Sequence, residues 1–133
     1  MLGDLIAELK GNSMGIRVLD VAGTMEVSVS LSGKMRGVPV NEFATYVNRG
    51  TNTQGSFSGK GQGIVMSKES EVATFTGEGF GRVDSLGSIK WRAAFFYQTT
   101  STGKLAFLNN LVGVSENQID PDGNVIDKQW EWK

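Results

Sequence analysis

The sequence predicts an all-β protein, a closed antiparallel barrel of about eight strands with little helix. Alternation of apolar and polar residues dominates the chain, turn-forming residues separate the alternating runs at regular intervals, and the chain has 18 glycines but only 2 prolines. Regularly spaced strands and turns are typical of an antiparallel sheet. A sheet of this size usually closes, because closure removes its exposed edges. We expect one barrel domain over residues 1–133.

The first strands lie in the N-terminal third of the chain. The apolar positions of residues 2–10 fit either a short helix or a strand with Leu5, Ala7 and Leu9 on one face. We favour the strand, because an isolated helix this short is marginally stable in water. Residues 24–37 alternate between apolar and polar side chains, which predicts a half-buried strand.

Three further strands are predicted in the second half. Residues 88–98 carry most of their bulky side chains on one face, and residues 105–114 are apolar on both faces except at Asn109 and Asn110. The Asp-Pro-Asp-Gly run at 120–123 predicts a tight turn before the last strand. The apolar faces carry Ile89, Trp91, Ala93, Phe95 and Tyr97 in the first of these strands, and Ile126, Trp130 and Trp132 in the last.

The composition excludes several classes of function. The chain has no cysteine and no histidine, so disulfides, thiolate nucleophiles, zinc sites and serine-protease triads cannot form in their standard versions. A net charge of −1 gives no general attraction to nucleic acid or to an acidic membrane. We expect a cytoplasmic protein with no signal peptide, cofactor, metal, nucleic-acid partner or membrane partner.

A glycine repeat is the most distinctive local feature. The pattern [Ser/Thr]-Phe-[Ser/Thr]-Gly-x-Gly-x-Gly occurs at residues 56–63 and again at 74–81. Neither copy fits a dinucleotide or phosphate-binding loop, and glycine inside a strand marks a bend or a close approach. Segregation of apolar from polar residues favours an odd-length loop between the copies, which places both glycine stripes on one face with Phe57 and Phe75.

The glycine stripes leave two alternatives open for the barrel interior. Bulky rings of the neighbouring strand either cover the glycines as core packing or border a cavity. In the second case the cavity takes the usual form of a small-ligand site, apolar with a few polar groups. The predicted ligand-binding residues are Phe57, Phe75, Trp91, Phe95 and Tyr97, with Asn109 as a polar anchor.

Surplus apolar residues predict self-association. Ala94 and Phe96 lie on the second face of their strand, and residues 105–114 need cover on both sides. One side can face the barrel interior, and the other needs the N-terminal segment or a second subunit. We expect a homo-oligomer.

Several segments resemble a known family. They are the Gly-x-Gly-x-Gly hairpin, residues 91–97 (Trp-Arg-Ala-Ala-Phe-Phe-Tyr), residues 103–110 (Gly-Lys-Leu-Ala-Phe-Leu-Asn-Asn) and the ending Trp-Glu-Trp at 130–132. These resemble uncharacterised prokaryotic proteins similar to the allene-oxide-cyclase-like, calycin-type β-barrels. The resemblance implies a barrel, an oligomer, and either binding of apolar molecules or a cyclisation without cofactor. It assigns no catalytic residue in this chain.

Three functions follow from these observations. The first is a barrel that binds an apolar or aromatic small molecule in its lumen. The second is a cofactor-free isomerase or cyclase in the same lumen, for which the available ionisable residues are Glu42, Tyr46, Glu78 and Glu116. The third is a non-catalytic oligomeric scaffold with a filled core, which would leave no cavity larger than a water or two.

Overall fold

The computed structural model describes residues 2–133, and it confirms the closed antiparallel barrel of eight strands. Each strand pairs with the next along the chain, and the first strand pairs with the last. Residues 2–10 belong to a strand, as favoured above. The elements are β1 (Leu2–Val18), β2 (Met25–Met35), β3 (Val38–Gly50), β4 (Ser56–Ser67), β5 (Val72–Val83), β6 (Ile89–Thr99), a 3-10 turn (Ala106–Leu108), β7 (Val112–Ile119) and β8 (Asn124–Trp132).

The predicted strand over residues 105–114 is wrong in its first two-thirds. A 3-10 turn and its flanking bends occupy residues 103–110, and β7 begins only at Val112. The physical reason is the spacing of Leu105, Leu108 and Leu111, which recur every third residue, so one face of a tight helical turn carries all three. Each of them is buried. No helix within residues 2–133 is long and apolar enough to cross a membrane.

The segment around this 3-10 turn plugs one end of the barrel. Because the strands are antiparallel, the β2–β3, β4–β5 and β6–β7 connections lie at one end of the barrel, which we call the plug end. The first residues of β1 and the last residues of β8 lie at the same end. Leu105 and Leu108 are fully buried there in the main hydrophobic core. The Glu71 carboxylate holds the segment by accepting hydrogen bonds from Ser101 Oγ and, at 3.1 Å, from the Leu105 N–H. The opposite end, called the open end, carries short turns.

The two glycine stripes lie side by side on the inner face, as predicted. Met66 pairs with Val72, so the loop between β4 and β5 spans residues 67–71 and has odd length. Within the hairpin, Gly59 pairs with Gly79 and Gly61 pairs with Gly77. Aromatic rings occupy part of the space that a side chain would fill at Gly59, Gly61 and Gly77, whereas β6 backbone and Ala93 occupy it at Gly79.

Three ring contacts show how the glycine space is used. A side chain at Gly81 would come within 2.7 Å of the Trp91 indole, and one at Gly63 within 2.5 Å of the Phe75 ring. A side chain at Gly77 would overlap the Phe95 ring. Rings therefore pack over part of the glycine face, and Gly59, Gly77 and Gly79 also line the cavity described below.

β8 carries its polar face inward. Asp127 and Gln129 are buried inside the barrel, whereas Ile126 and Trp132 are exposed outside it. A strand with this pattern would normally turn its apolar residues to the core. The reversal leaves polar groups in the lumen and an apolar surface outside.

Candidate functional site

A cavity lies in the half of the lumen near the open end. The volume within which the centre of a water molecule can lie is about 50 Å³. One water needs ~10–15 Å³ on the same measure, so the cavity has room for several. Aliphatic side chains of β2 form one wall, aromatic rings of β3 and β6 form another, and polar side chains project from β3, β7 and β8. The lining side chains include Val27, Val29, Leu31, Glu42, Tyr46, Asn48, Trp91, Ala93, Phe95, Ser115, Asn117, Ile119, Val125 and Asp127.

The cavity has a deep end and a mouth. Glu42, Phe95 and Asp127 are buried, whereas Trp91 and Asn117 are only half-buried. Because the half-buried residues lie toward the open end of their strands, the cavity opens there. The plug closes the other end, so a molecule entering at the mouth meets aromatic surface first and carboxyl groups below it.

Asp127 is the most strongly hydrogen-bonded group of the lumen. Its Oδ1 accepts from Ser115 Oγ at 2.5 Å and from Asn117 Nδ2 at 3.4 Å, and its Oδ2 accepts from Gln129 Nε2 at 2.7 Å. Burial raises the pKa of Asp127, and the hydrogen bonds from Gln129, Ser115 and Asn117 act against that rise. The network provides donors for an ionised carboxylate at this position.

Glu42 has the opposite environment. It is fully buried, and its Oε1 has no hydrogen-bond partner among residues 2–133. Burial, with a further contribution from the nearby Asp127 carboxyl, raises the pKa of Glu42 well above its usual value. A buried polar atom without a partner is uncommon in folded proteins, and here it borders a cavity.

Two phenols complete the polar groups of the lumen. The Tyr97 hydroxyl donates to Gln129 Oε1 at 2.6 Å, which links Tyr97 through Gln129 to Asp127. Burial raises the pKa of both Tyr46 and Tyr97, and the Glu42 and Asp127 carboxyls raise them further. Both phenols therefore remain protonated donors at neutral pH.

The structure brings two of the six predicted ligand-binding residues to the cavity. Trp91 and Phe95 line it. Phe75 and Tyr97 pack behind Phe95 instead. The centroid of the Phe75 ring lies 5.1 Å from that of Phe95 and 5.3 Å from that of Tyr97. Phe57 is half-buried near the open end and does not line the cavity.

Asn109 does not lie in the lumen. It follows the 3-10 turn in the exposed part of the plug segment, where its Oδ1 accepts a 3.4 Å hydrogen bond from the Thr99 N–H. The physical reason is that residues 105–111 do not form the strand that would have pointed one amide inward. Asn109 therefore does not supply a polar anchor for this cavity.

Of the four ionisable residues considered for catalysis, two face the lumen. Glu42 and Tyr46 are directed into the cavity. Glu78 borders it between Gly77 and Gly79 but is exposed, and Glu116 is exposed and does not line it. Asp127 was not predicted as a site residue. Its alternation with Ile126 shows that β8 has a polar face and an apolar face but not which of them lies inside the barrel. The signal that could have found it is the surplus of large apolar residues on the opposite face of β8.

Comparison with known proteins identifies the fold. No family model and no curated protein matches this chain. Two solved structures are similar: a conserved protein of unknown function from Rhodopseudomonas palustris (TM-score 0.75, 12% identity, 99% of each chain covered) and a protein of unknown function from Clostridium acetobutylicum (TM-score 0.73, 11% identity, 98% of each chain covered). Their uncharacterised status agrees with that of the proteins this sequence resembles.

The described residues contain no group of three or more acidic side chains placed to hold a metal ion. Asp120 instead organises the β7–β8 turn, where its Oδ1 accepts from the Asp122 and Asn124 N–H groups at 2.9 Å each. This is the hairpin-turn role predicted for the Asp-Pro-Asp-Gly run.

Proposed function

We propose that the protein binds an apolar or aromatic small molecule in the lumen of its barrel. The observation that carries the proposal is a cavity with apolar and aromatic walls and a buried carboxyl oxygen, Glu42 Oε1, that has no partner within residues 2–133. Small-ligand sites take this form, with mostly apolar walls and a few polar groups that orient the ligand. The cavity space also exceeds the water or two that a filled scaffold would leave.

Phenethyl alcohol is a suitable neutral probe for this proposal, because it combines an aromatic ring with one hydroxyl group. We expect calorimetric titration to show binding to the wild type. Trp91→Ala should weaken binding by about tenfold or more, because the indole supplies the aromatic contact at the mouth and a loss of about 1.4 kcal/mol is a tenfold loss of affinity. Phe80→Ala is the matched control, since Phe80 is 67% exposed on the outer face. Equal affinities for wild type and Trp91→Ala would contradict lumenal binding.

A cofactor-free isomerase is the second candidate, and the unlike environments of Glu42 and Asp127 favour it. Where the surroundings of two carboxyl groups give them different pKa values, one group usually acts as an acid and the other as a base. The lack of donors favours the protonated form of Glu42, whereas three donors favour the carboxylate form of Asp127 against the effect of burial. The resemblance to allene-oxide-cyclase-like barrels also supports a rearrangement that needs no cofactor.

The proposed reaction moves one proton within the substrate. The Asp127 carboxylate removes a proton from the carbon between a carbonyl group and a carbon–carbon double bond, and returns it at the far end of that double bond. The Glu42 carboxyl group donates a hydrogen bond to the carbonyl oxygen while it carries negative charge. No electron is gained or lost overall.

The test is conversion of a β,γ-unsaturated cyclic ketone to its conjugated isomer, followed by ultraviolet absorbance. We expect Asp127→Asn to slow the conversion by about 10²–10⁴-fold, with exposed Glu116→Gln as the control. A wild-type rate equal to that of buffer would exclude this reaction and leave the binding proposal intact.

We further propose that a second copy of the chain covers the outside of β1, β8, β7 and β6. In this region Leu5 pairs with Trp130, Trp130 with Val114, and Val114 with Ala94, so apolar residues form a row across four strands. The N-terminal segment cannot cover the row, because it is β1 itself. The outer apolar face consists of Leu2, Leu5, Ala94, Phe96, Val112, Val114, Trp130 and Trp132.

A charged row beside the outer apolar face favours a second copy over another partner. Glu8, Lys128, Glu116 and Arg92 are exposed and pair in that order across the same four strands. The row therefore alternates in sign. A two-fold axis through its centre would place Glu8 opposite the other copy's Arg92 and Lys128 opposite the other copy's Glu116, so each charge meets its opposite.

Native mass spectrometry tests this contact. We expect an oligomer for the wild type and a monomer for Phe96→Glu, because a charge in an apolar interface loses its hydration. Phe43→Glu is the control, since Phe43 is exposed on β3, outside the outer apolar face. A wild-type monomer at micromolar concentration would contradict the proposal.

A further inference from the structure

We propose that the ligand of the lumen is an organic cation, a small apolar molecule that carries a protonated amine. The inference rests on the proposed binding function and adds the charge of the ligand to it. Glu42 and Asp127 are its two recognition groups, and the aromatic residues near the mouth hold its apolar part.

The charges of the cavity wall are unbalanced. The chain has 13 lysines and arginines, yet none of them is among the described residues that line the cavity, whereas two buried carboxyl groups are. The negative charge of an ionised Asp127 would be compensated only by hydrogen bonds from neutral groups, those of Ser115, Asn117 and Gln129. Buried charges in proteins are normally paired, so a cationic ligand supplies a charge that the chain does not.

Glu42 Oε1 lacks a donor, and this defines what the ligand must bring. An ammonium group has three N–H donors and no acceptor, so it can satisfy Glu42 Oε1 and still donate to other oxygens at the deep end. An anionic ligand would place a negative charge beside two carboxyl groups and bring no donor to either of them. A ligand with acceptors alone would leave an ionised Glu42 without any donor.

The aromatic walls suit a cation as well. Tyr46, Trp91 and Phe95 line the same cavity as the two carboxyl groups. Ring faces attract positive charge, and the attraction strengthens where water is excluded. The apolar part of the ligand then lies against Trp91 toward the mouth, with the amine near Glu42 and Asp127 at the deep end.

Binding of a cation should release a proton from Glu42. The titratable group that acts on Glu42 is Asp127 on β8, and Glu42 in turn raises the pKa of Tyr46 on β3 and of Tyr97 on β6. Burial and Asp127 raise the pKa of Glu42, so both favour the neutral form of its carboxyl group in the empty cavity. An ammonium group at this position favours the ionised form and therefore displaces the proton.

The experiment compares three probes of similar shape by calorimetry: phenethylamine, phenethyl alcohol and hydrocinnamate, which are cationic, neutral and anionic at neutral pH. We expect the amine to bind the wild type about tenfold or more tightly than the alcohol. The reason is that hydrogen bonds to charged groups are stronger than those between neutral groups, by a free energy that corresponds to about tenfold in affinity. Titrations in two buffers of different ionisation enthalpy should report a net release of protons when the amine binds.

Glu42→Gln separates the charge inference from the binding proposal. The variant should lose most of the preference for the amine over the alcohol, measured as the ratio of the two affinities, whereas Phe80→Ala should keep the wild-type ratio. If the wild type binds the alcohol as tightly as the amine and releases no proton, the cationic ligand is wrong and lumenal binding stands. If none of the three probes binds, the proposed function and this inference both fail.

Discussion

Replacing Leu108 with alanine should lower the free energy of unfolding by about 2–5 kcal/mol, the range for buried leucine-to-alanine changes. Leu108 is 0% exposed, although it lies in a three-residue helical turn between two strands. It belongs to the same core cluster as Ile6 and Met35, so the plug is part of the barrel core rather than a surface loop. The substitution leaves a cavity, and the hydrogen-bonded strands of the closed barrel limit how far the surrounding residues can move to fill it.

Chemical denaturation monitored by fluorescence measures this effect. The matched control is Leu86→Ala in the β5–β6 turn, where the side chain is 83% exposed and the expected change is within about 0.5 kcal/mol. If the two variants lose the same stability, the plug does not contribute to the core. Loss of the plug would also open the barrel at both ends and expose the deep end of the cavity.

The pH dependence of stability should reveal the buried proton of Glu42. Its pKa is raised in the folded protein well above the value of 4.5 expected in the unfolded chain. Between these two pKa values the folded state binds more protons than the unfolded state, so the free energy of unfolding falls as pH rises. The contribution is complete below the unfolded pKa and is lost as the pH passes through the folded pKa.

The expected slope is about −1.4 kcal/mol per pH unit for one such proton across this window. Asp127, whose pKa is also raised by burial, adds to it in the same direction. Glu42→Gln removes the part due to Glu42, so the variant should gain stability relative to wild type as pH rises above about 5. Exposed Glu78→Gln is the control. Parallel stability curves for wild type and Glu42→Gln would show that Glu42 ionises normally.

The barrel and the glycine hairpin could be predicted because one physical rule decides each of them. Alternation at period two defines the faces of β2 and β6, and the need to keep polar residues such as Glu78 off the inner face selects the odd loop between β4 and β5. The pairing of Gly61 with Gly77 follows from that loop. Local pattern and global closure agree in this part of the chain.

The plug and the polar lumen could not be predicted in the same way. Leucines at 105, 108 and 111 fit a strand or a helical turn in so short a segment, and only the open barrel end decides between them. For β8, alternation distinguishes two faces but does not say which one is inside. The choice depends on partners from other strands, such as Ser115 and Tyr97, and on the cover outside Trp130.

Nuclear magnetic resonance of the three tryptophan indole N–H groups tests the central claim, that the lumen is a ligand chamber, most directly. Trp91 lines the cavity, whereas Trp130 and Trp132 lie on the outer apolar face, so the chain carries its own internal control. Titration with phenethyl alcohol should shift the Trp91 signal in a saturable way and leave the other two unchanged. A shift confined to Trp130 and Trp132, with Trp91 unaffected, would show that the molecule binds outside and that the chamber does not accept it.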